Sequence, residues 1–273
     1  NAPALAPVYP EKPNTYDALY LPRASYYTGQ LDIHDLHWGT AGLWAVNTSF
    51  SCVCLISDDY SFTPKWQPHF IDHLVSEDRC HLNGMAMHQG KPLYVSSLGT
   101  GNSLQSWRSN ITQGGALIHV PSNTLIADKL AMPHSPRYYN NKLYLLLSAT
   151  GEIITLDPSS GRYEIINKLS GFVRGMAKHG DYLFVGLSRL RKNASTFKDL
   201  PIAAKAKQAG ITVLHLPTGA IVAELRYQTS VEEIYDVQIL PNQVRPNILN
   251  PYTPKHYMGL STPKATYWAK SND

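Results

Sequence analysis

An internal repeat limits this chain more than any other feature: paired β-rich runs around tight turns recur along most of its length. Residues 18–31, 116–130, 152–169 and 211–225 share one form of the pair, and 52–63 is a divergent fifth copy. Each turn holds Pro, Ser, Gly, Asn or Asp, which supply fixed or positive φ. A second form lies between them. Residues 84–95 and 175–185 are near-duplicates, with 34–46 and 136–146 as looser versions. Two pairs per repeat make a four-stranded unit recurring every ~40–50 residues, the spacing of propeller blades. The pattern predicts an all-β, five-bladed β-propeller with blades near 33–75, 81–131, 134–170 and 172–228. A fifth blade is expected from residues 15–32 and 232–250, so that N-terminal strands pair with a C-terminal strand at 234–240 and protect the sheet edges. A six-bladed ring that uses the tail is the alternative count.

One propeller domain over 15–250 is expected, with 1–14 and 251–273 as extended terminal segments and one short helix near 202–208. The tail carries Pro241, Pro246, Pro251, Pro254 and Pro263 and has no period of its own.

Hydrophobic residues make up 43% and charged residues 16%, a balance that argues against disorder. A net charge of +4, without a basic stripe interleaved with aromatics, argues against nucleic acid as a partner. The small cluster Arg189, Arg191 and Lys192 reads as a solvated loop. No apolar run approaches the ~18 residues that span a bilayer, so no membrane association is expected. Cys52, Cys54 and Cys80 are odd in number, and the first two point to one face of a strand. That suits a reducing compartment and a cytoplasmic protein. Sequons begin at Asn47, Asn110 and Asn193, where chance matches are common.

Turns within the hairpins are short, whereas 61–81, 98–115 and 188–210 are long connections on the opposite face. Long loops in a compact domain are usually functional or disordered. Polar residues concentrate on the same side, just before each innermost strand. His34, Asn83, His134 and Arg174 fall at similar places, with Glu233 as the fifth. By the two-residue period, His81 and Asn83 share a face if the strand has begun by then. The expected site is therefore a channel mouth with convergent polar groups.

Several chemistries fit these residues. His34, His37, His81 and His134 are candidate ligands for a divalent metal such as zinc or iron, as imidazoles from different blades can leave a coordination position open. His81, Glu233, Asp236 and Tyr235 are candidate catalytic residues for general acid–base work. Arg79, Asn83, Arg137 and Arg174 are candidate ligand-binding residues, since guanidinium groups suit an anionic ligand. Salt bridges that knit blades together are the competing reading of the arginines. Cys80 reads as a buried structural thiol before a nucleophile. Trp66, Trp107 and Tyr235 are aromatic residues placed to stack on a ligand or to anchor loops. The function expected is a catalytic site for a small molecule or modified peptide of polar or anionic character. The alternative is a non-catalytic propeller module that binds a protein or glycan.

The stretches 51–56, 61–71, 77–84 (Glu-Asp-Arg-Cys-His-Leu-Asn-Gly), 132–137, 171–175 and 231–237 resemble a bacterial family of conserved hypothetical proteins. Members of that family are often associated with tetratricopeptide repeat proteins. The resemblance covers about residues 30–245. It implies a propeller-like fold and tetratricopeptide repeat partners, and it brings no established activity or cofactor.

Overall fold

A computed structural model describes residues 2–190 and 197–269. The chain forms two compact units, residues 28–239 and residues 1–27 with 240–273. In the smaller unit, β1 (Ala18–Tyr20) pairs in parallel with a strand at Pro246–Ile248. The Asp17 carboxylate accepts the backbone N–H groups of Val244 and Arg245 at 2.6 and 2.9 Å, which fixes that register.

The larger unit is four antiparallel four-stranded sheets, each ordered as its strands occur in the chain. The first sheet holds β2 (Ile33–Gly39), β3 (Gly42–Asn47), β4 (Cys52–Ile56) and β5 (Thr63–Trp66). The second holds β6 (Leu82–His88), β7 (Lys91–Ser97), β8 (Gly115–His119) and β9 (Thr124–Leu130). The third is β10 (Pro133–Tyr139), β11 (Lys142–Leu147), β12 (Glu152–Leu156) and β13 (Tyr163–Lys168). The fourth is β14 (Phe172–His179), β15 (Tyr182–Ser188), β16 (Gly210–His215) and β17 (Ala220–Arg226). These sheets coincide with four of the repeat units read from the sequence. Their first strands stand side by side in chain order, β2 against β6, β6 against β10 and β10 against β14.

The two-residue period explains how the sheets stack. Leu143, Leu145 and Leu147 of β11 pack with Ala86, Tyr94 and Leu117 of the second sheet. Tyr144 and Leu146, the alternate residues, pack with Val173, Met176, Leu183 and Leu214 of the fourth. A strand buried on both faces must read as a continuous apolar run, as Leu143–Leu147 does. Each such leucine contributes roughly 1.5–3 kcal/mol relative to exposure. Outermost β17 has every residue exposed, and among the described residues no strand pairs with its free edge.

Each first strand carries a bulge near its start. Pairing skips a residue at His34 in β2, at Asn83 in β6, within 134–137 in β10 and within 173–176 in β14. A bulge re-aims neighbouring side chains, and here it does so at one end of all four sheets.

The expected fifth four-stranded unit does not form. Residues 21–29 have no strand, and 231–240 run without a backbone ladder. The C-terminal strand that pairs with β1 is β18 (Pro246–Ile248), in parallel, rather than 234–240. A side chain replaces the ladder at Ile234: its N–H donates to Ser188 Oγ at 2.9 Å, and that hydroxyl donates to Ile234 O at 3.2 Å. Arg189 N–H donates to Glu232 O at 2.8 Å. Residues 232–236 therefore form a strap over the end of the β14–β15 hairpin. Gly175, at φ +78°, lets the strap approach, because a Cβ there would stand 2.6 Å from Asp236 Cα.

The terminal segments also differ from expectation. They hold a 3-10 turn at Pro3–Leu5, the one-turn helix α1 (Lys255–Met258), and a hairpin of β19 (Gly259–Ser261) and β20 (Thr266–Trp268). Leu5, Ala6, Tyr9, Leu19 and Leu249 form the core of the smaller unit. Residues 202–208 are turns and coil rather than helix, with Ile202 and Ala206 as buried plugs. Asn47 is fully buried, so its sequon is closed to modification in the folded chain. Arg191, Lys192 and Asn193 lie outside the described residues. Among the described residues no helix is long and apolar enough to cross a membrane.

Candidate functional site

The bulged ends of the first strands, the 98–111 loop and the strap enclose a cavity of about 460 Å³. Its lining includes His34, His81, His134, Arg174, Glu233 and Tyr235 from the expected set, with Trp107 and Phe172. The face shared by His81 and Asn83 is not formed. His81 precedes the strand and is left-handed at φ +50°, so the period does not reach it. Asn83 is instead buried, with its Oδ1 accepting from Ser96 Oγ at 2.6 Å.

The three cavity histidines are all held at Nδ1. His134 Nδ1 lies 3.0 Å from Met132 O and 2.8 Å from Ser148 Oγ. A carbonyl only accepts, and the Ser148 hydroxyl is already donating to Val173 O at 2.6 Å. The ring proton must therefore sit on Nδ1, which leaves Nε2 as a bare acceptor. His34 repeats the arrangement with Asp32 O at 3.0 Å, Thr48 Oγ1 at 2.9 Å, and Thr48 Oγ1 donating to Leu82 O at 2.6 Å. His81 Nδ1 is held by the Asp78 carboxylate at 3.0 and 3.1 Å, again leaving Nε2. Asp78 Oδ2 also accepts from Trp107 Nε1 at 2.9 Å, and the Trp107 ring lies 4.3 Å from the His81 ring, centroid to centroid. Thr48 and Ser148 were not among the expected site residues. Their signal was nevertheless present, since His34–Thr48 and His134–Ser148 share a separation of 14 residues.

Burial, reinforced by the neighbouring His81, pushes His34 down to about 4. Burial, with Arg174 beside it, holds His134 well below the usual histidine range. Both rings are therefore neutral at physiological pH. The His34 and His81 centroids are 4.7 Å apart, edge to face. Arg174 stacks over the Tyr235 ring at 3.6 Å, and its Nη2 is buried without a hydrogen-bond partner among the described residues.

The remaining expected residues work elsewhere. Arg137 is buried and donates through Nη1 to Asp35 Oδ2 at 2.9 Å, Met85 O at 3.1 Å and Pro136 O at 3.0 Å. Its Nη2 reaches Asp236 Oδ1 at 3.2 Å. Asp35 Oδ2 also accepts Met85 N–H at 3.0 Å, and His37 Nε2 stands 3.2 Å from Asp35 Oδ1 without hydrogen-bond alignment. Arg137, Asp236 and His37 thus form a cross-tie between β2, β6, β10 and the strap, the salt-bridge reading of the arginines. Arg79 is a loop clip. It donates to Glu77 at 2.8 Å, Asp72 at 2.6 Å and Asn102 at 2.7 Å, and has no donor aimed into the cavity. Cys80 is fully buried, and burial pushes its thiol up to about 12, which suits the structural reading.

A divalent metal does not fit this donor set. Among the described residues, no group of three or more His, Cys, Asp or Glu side chains is placed to hold a metal ion, and His37 is on the cross-tie. Elemental analysis of the purified protein is expected to give metal well below one equivalent. One equivalent of zinc or iron, removed by chelation and lost in a His81→Ala variant, would overturn that assignment.

Together the sheets and the cavity define an all-β repeat protein with a histidine-lined pocket at the bulged ends of its first strands. The chain belongs to DUF4915, a domain family of unknown function whose model matches residues 1–249. No curated protein matches it. Among solved structures, it is similar to the computationally designed Ika8 protein, with 11% identity and a TM-score of 0.40, covering 77% of this chain and 53% of that one. It is also similar to the hydrazine synthase of Kuenenia stuttgartiensis, with 10% identity and a TM-score of 0.41, covering 76% and 52%. The chain spans about half the length of each of these structures.

Proposed function

We propose that the cavity binds a polar or anionic small molecule or modified peptide and carries out general acid–base chemistry on it. His81 transfers the proton, Asp78 positions its ring, and Arg174 anchors a negative group. One observation carries this reading: Asp78 holds His81 by Nδ1, leaving Nε2 on a cavity that Arg174 also lines, its buried Nη2 without a hydrogen-bond partner among the described residues. A positioned acid–base group typically contributes about 10²–10⁴ in rate. Glu233 and Tyr235 line the same space, with Tyr235 as the platform for Arg174.

His81→Gln and Arg174→Met test the proposal through melting temperature and ligand-induced stabilisation measured together. Both variants are expected to melt within a few degrees of the native chain. Arg174→Met should lose stabilisation by anionic ligands, and His81→Gln should lose turnover while retaining binding. Large losses of stability in both would assign these residues to scaffolding instead. Full activity or partner binding in His81→Gln would favour the non-catalytic protein- or glycan-binding module.

The architecture that suits this reading is a β-propeller, with the four sheets as four of its blades. Its support is the side-by-side order of the first strands and the convergence of their bulged ends on one cavity. A cytoplasmic location belongs to the same proposal, supported by three buried, unbridged thiols. The tetratricopeptide repeat partners rest on the family resemblance alone.

A further inference from the structure

Three features of the cavity restrict what it can hold. The first is charge. Arg174 has one face on Tyr235, so its in-plane N–H groups are what remain for a ligand, the geometry that favours a planar anion. The other two arginines of the lining are engaged, Arg189 with Glu232 and Arg108 with Gln105 and the face of Trp107. Asp32 adds a carboxylate to the same lining, which opposes a dianion.

The second feature is hydrogen-bond polarity. His34 and His134 present Nε2 as an acceptor, because Nδ1 of each is tied behind it, and His81 is likewise held by Nδ1. Acceptors in a half-enclosed site must be met by donors, and a ligand without O–H or N–H leaves them unpaired. The third is the apolar part of the wall, formed by Leu98, Met132, Phe172, Leu190 and Phe197. A volume of about 460 Å³ lies within the usual range for small-ligand pockets.

We infer that the ligand is a monocarboxylic acid with a hydroxyl or ammonium hydrogen beside the carboxylate and an apolar side chain, of the 2-hydroxy- or 2-amino-acid kind. The carboxylate lies on Arg174, the adjacent donor faces the histidine nitrogens, and the side chain lies on Phe172 and Met132. This deepens the acid–base proposal and rests on its assignment of the cavity as the ligand site.

The test is calorimetric titration of the full chain with four probes: L-phenyllactate, 3-phenylpropionate without the hydroxyl, 3-phenyl-1,2-propanediol without the carboxylate, and phenyl phosphate. L-Phenyllactate is expected to bind at least about tenfold more tightly than each of the others, the scale of one lost charged or buried polar partner. Arg174→Met should weaken it by about tenfold or more at an unchanged melting temperature. Equal or tighter binding of phenyl phosphate or 3-phenylpropionate overturns the ligand class, as does failure of all four to bind. Histidine Cε1–H signals recorded with whichever probe binds separate the two levels. If signals of His34, His81 and His134 move with a probe of the wrong class, the cavity reading stands and only the ligand class falls. If a probe binds and none of them moves, both readings fall.

Discussion

An Arg137→Met variant is expected to lose about 3–5 kcal/mol of stability, the usual cost of removing one partner from a buried ion pair. Arg137 is 5% exposed and Asp35 9%, so neither charge can turn to water when the other is removed. Burial opposes charge on both, yet Asp35 holds the Arg137 guanidinium above its usual range, and Arg137 with His37 carries the Asp35 carboxyl well below the carboxylate range. The substitution leaves Asp35 with the Met85 and Leu36 N–H groups and a misaligned His37. It also frees Asp236, and with it one hold on the strap. In a chain of this size the loss lowers the melting temperature by roughly 10 °C. The double variant Asp35→Asn with Arg137→Met should lose clearly less than the two single losses combined, because the uncompensated charge is gone. Denaturant titration of the four proteins checks this. A single-variant loss under about 1 kcal/mol, or simple additivity, would remove Arg137 from its structural role.

Acidification from pH 6.5 to 4 is expected to destabilise the protein by about 3 kcal/mol through His34 alone, with His134 adding in the same direction. The sign follows from proton counting. His34 ionises at about 4 in the folded chain, against roughly 6.5 for an ordinary histidine, so within that window the unfolded chain binds more protons. Stability is therefore full above the upper limit and falls with pH until the folded ring also protonates. The groups facing these rings act the same way, since the neighbouring His81 and Arg174 oppose protonation of both, and only Asp32 favours it at His34. Asp35, depressed by its pairing, loses its contribution at lower pH, which keeps the windows apart. A His34→Asn variant retains a donor toward Asp32 O and Thr48 and should flatten the profile between pH 6.5 and 4. An unchanged slope in that variant would place the acid sensitivity elsewhere.

The sheets were legible because their chemistry is periodic. Turn residues and alternating apolar runs mark β6–β7 and β14–β15 as duplicates, and the strand register follows. The ring closure was misread at 234–240 for a local reason: alternation there looks like a strand, but the Ser188 hydroxyl satisfies Ile234 in place of a neighbouring backbone. His34, His134 and Arg174 were identified by position, since the bulged start of a strand is where polar side chains collect. Arg137 and Asp236 share that location and read the same way in sequence. Which guanidinium has a carboxylate across the sheets depends on contacts such as Asp35–Arg137, separated by 102 residues, and no local pattern records them. His37 was misplaced for the same reason. His81 was expected at the channel mouth and lines the cavity, although the face assigned to it depended on a strand that begins one residue later.

The most direct test of the account is long-range ¹H–¹⁵N correlation of the histidine rings at neutral pH, with His34, His81 and His134 assigned by substitution. The predicted spectrum shows all three as neutral or Asp78-paired rings with the proton on Nδ1 and, for His34 and His134, a pyridine-like Nε2 that shifts when L-phenyllactate is added. Protonated Nε2 on His34 and His134, or rings indifferent to every bound ligand, would contradict the claim that the bulged strand ends present these imidazoles as acceptors in one acid–base cavity.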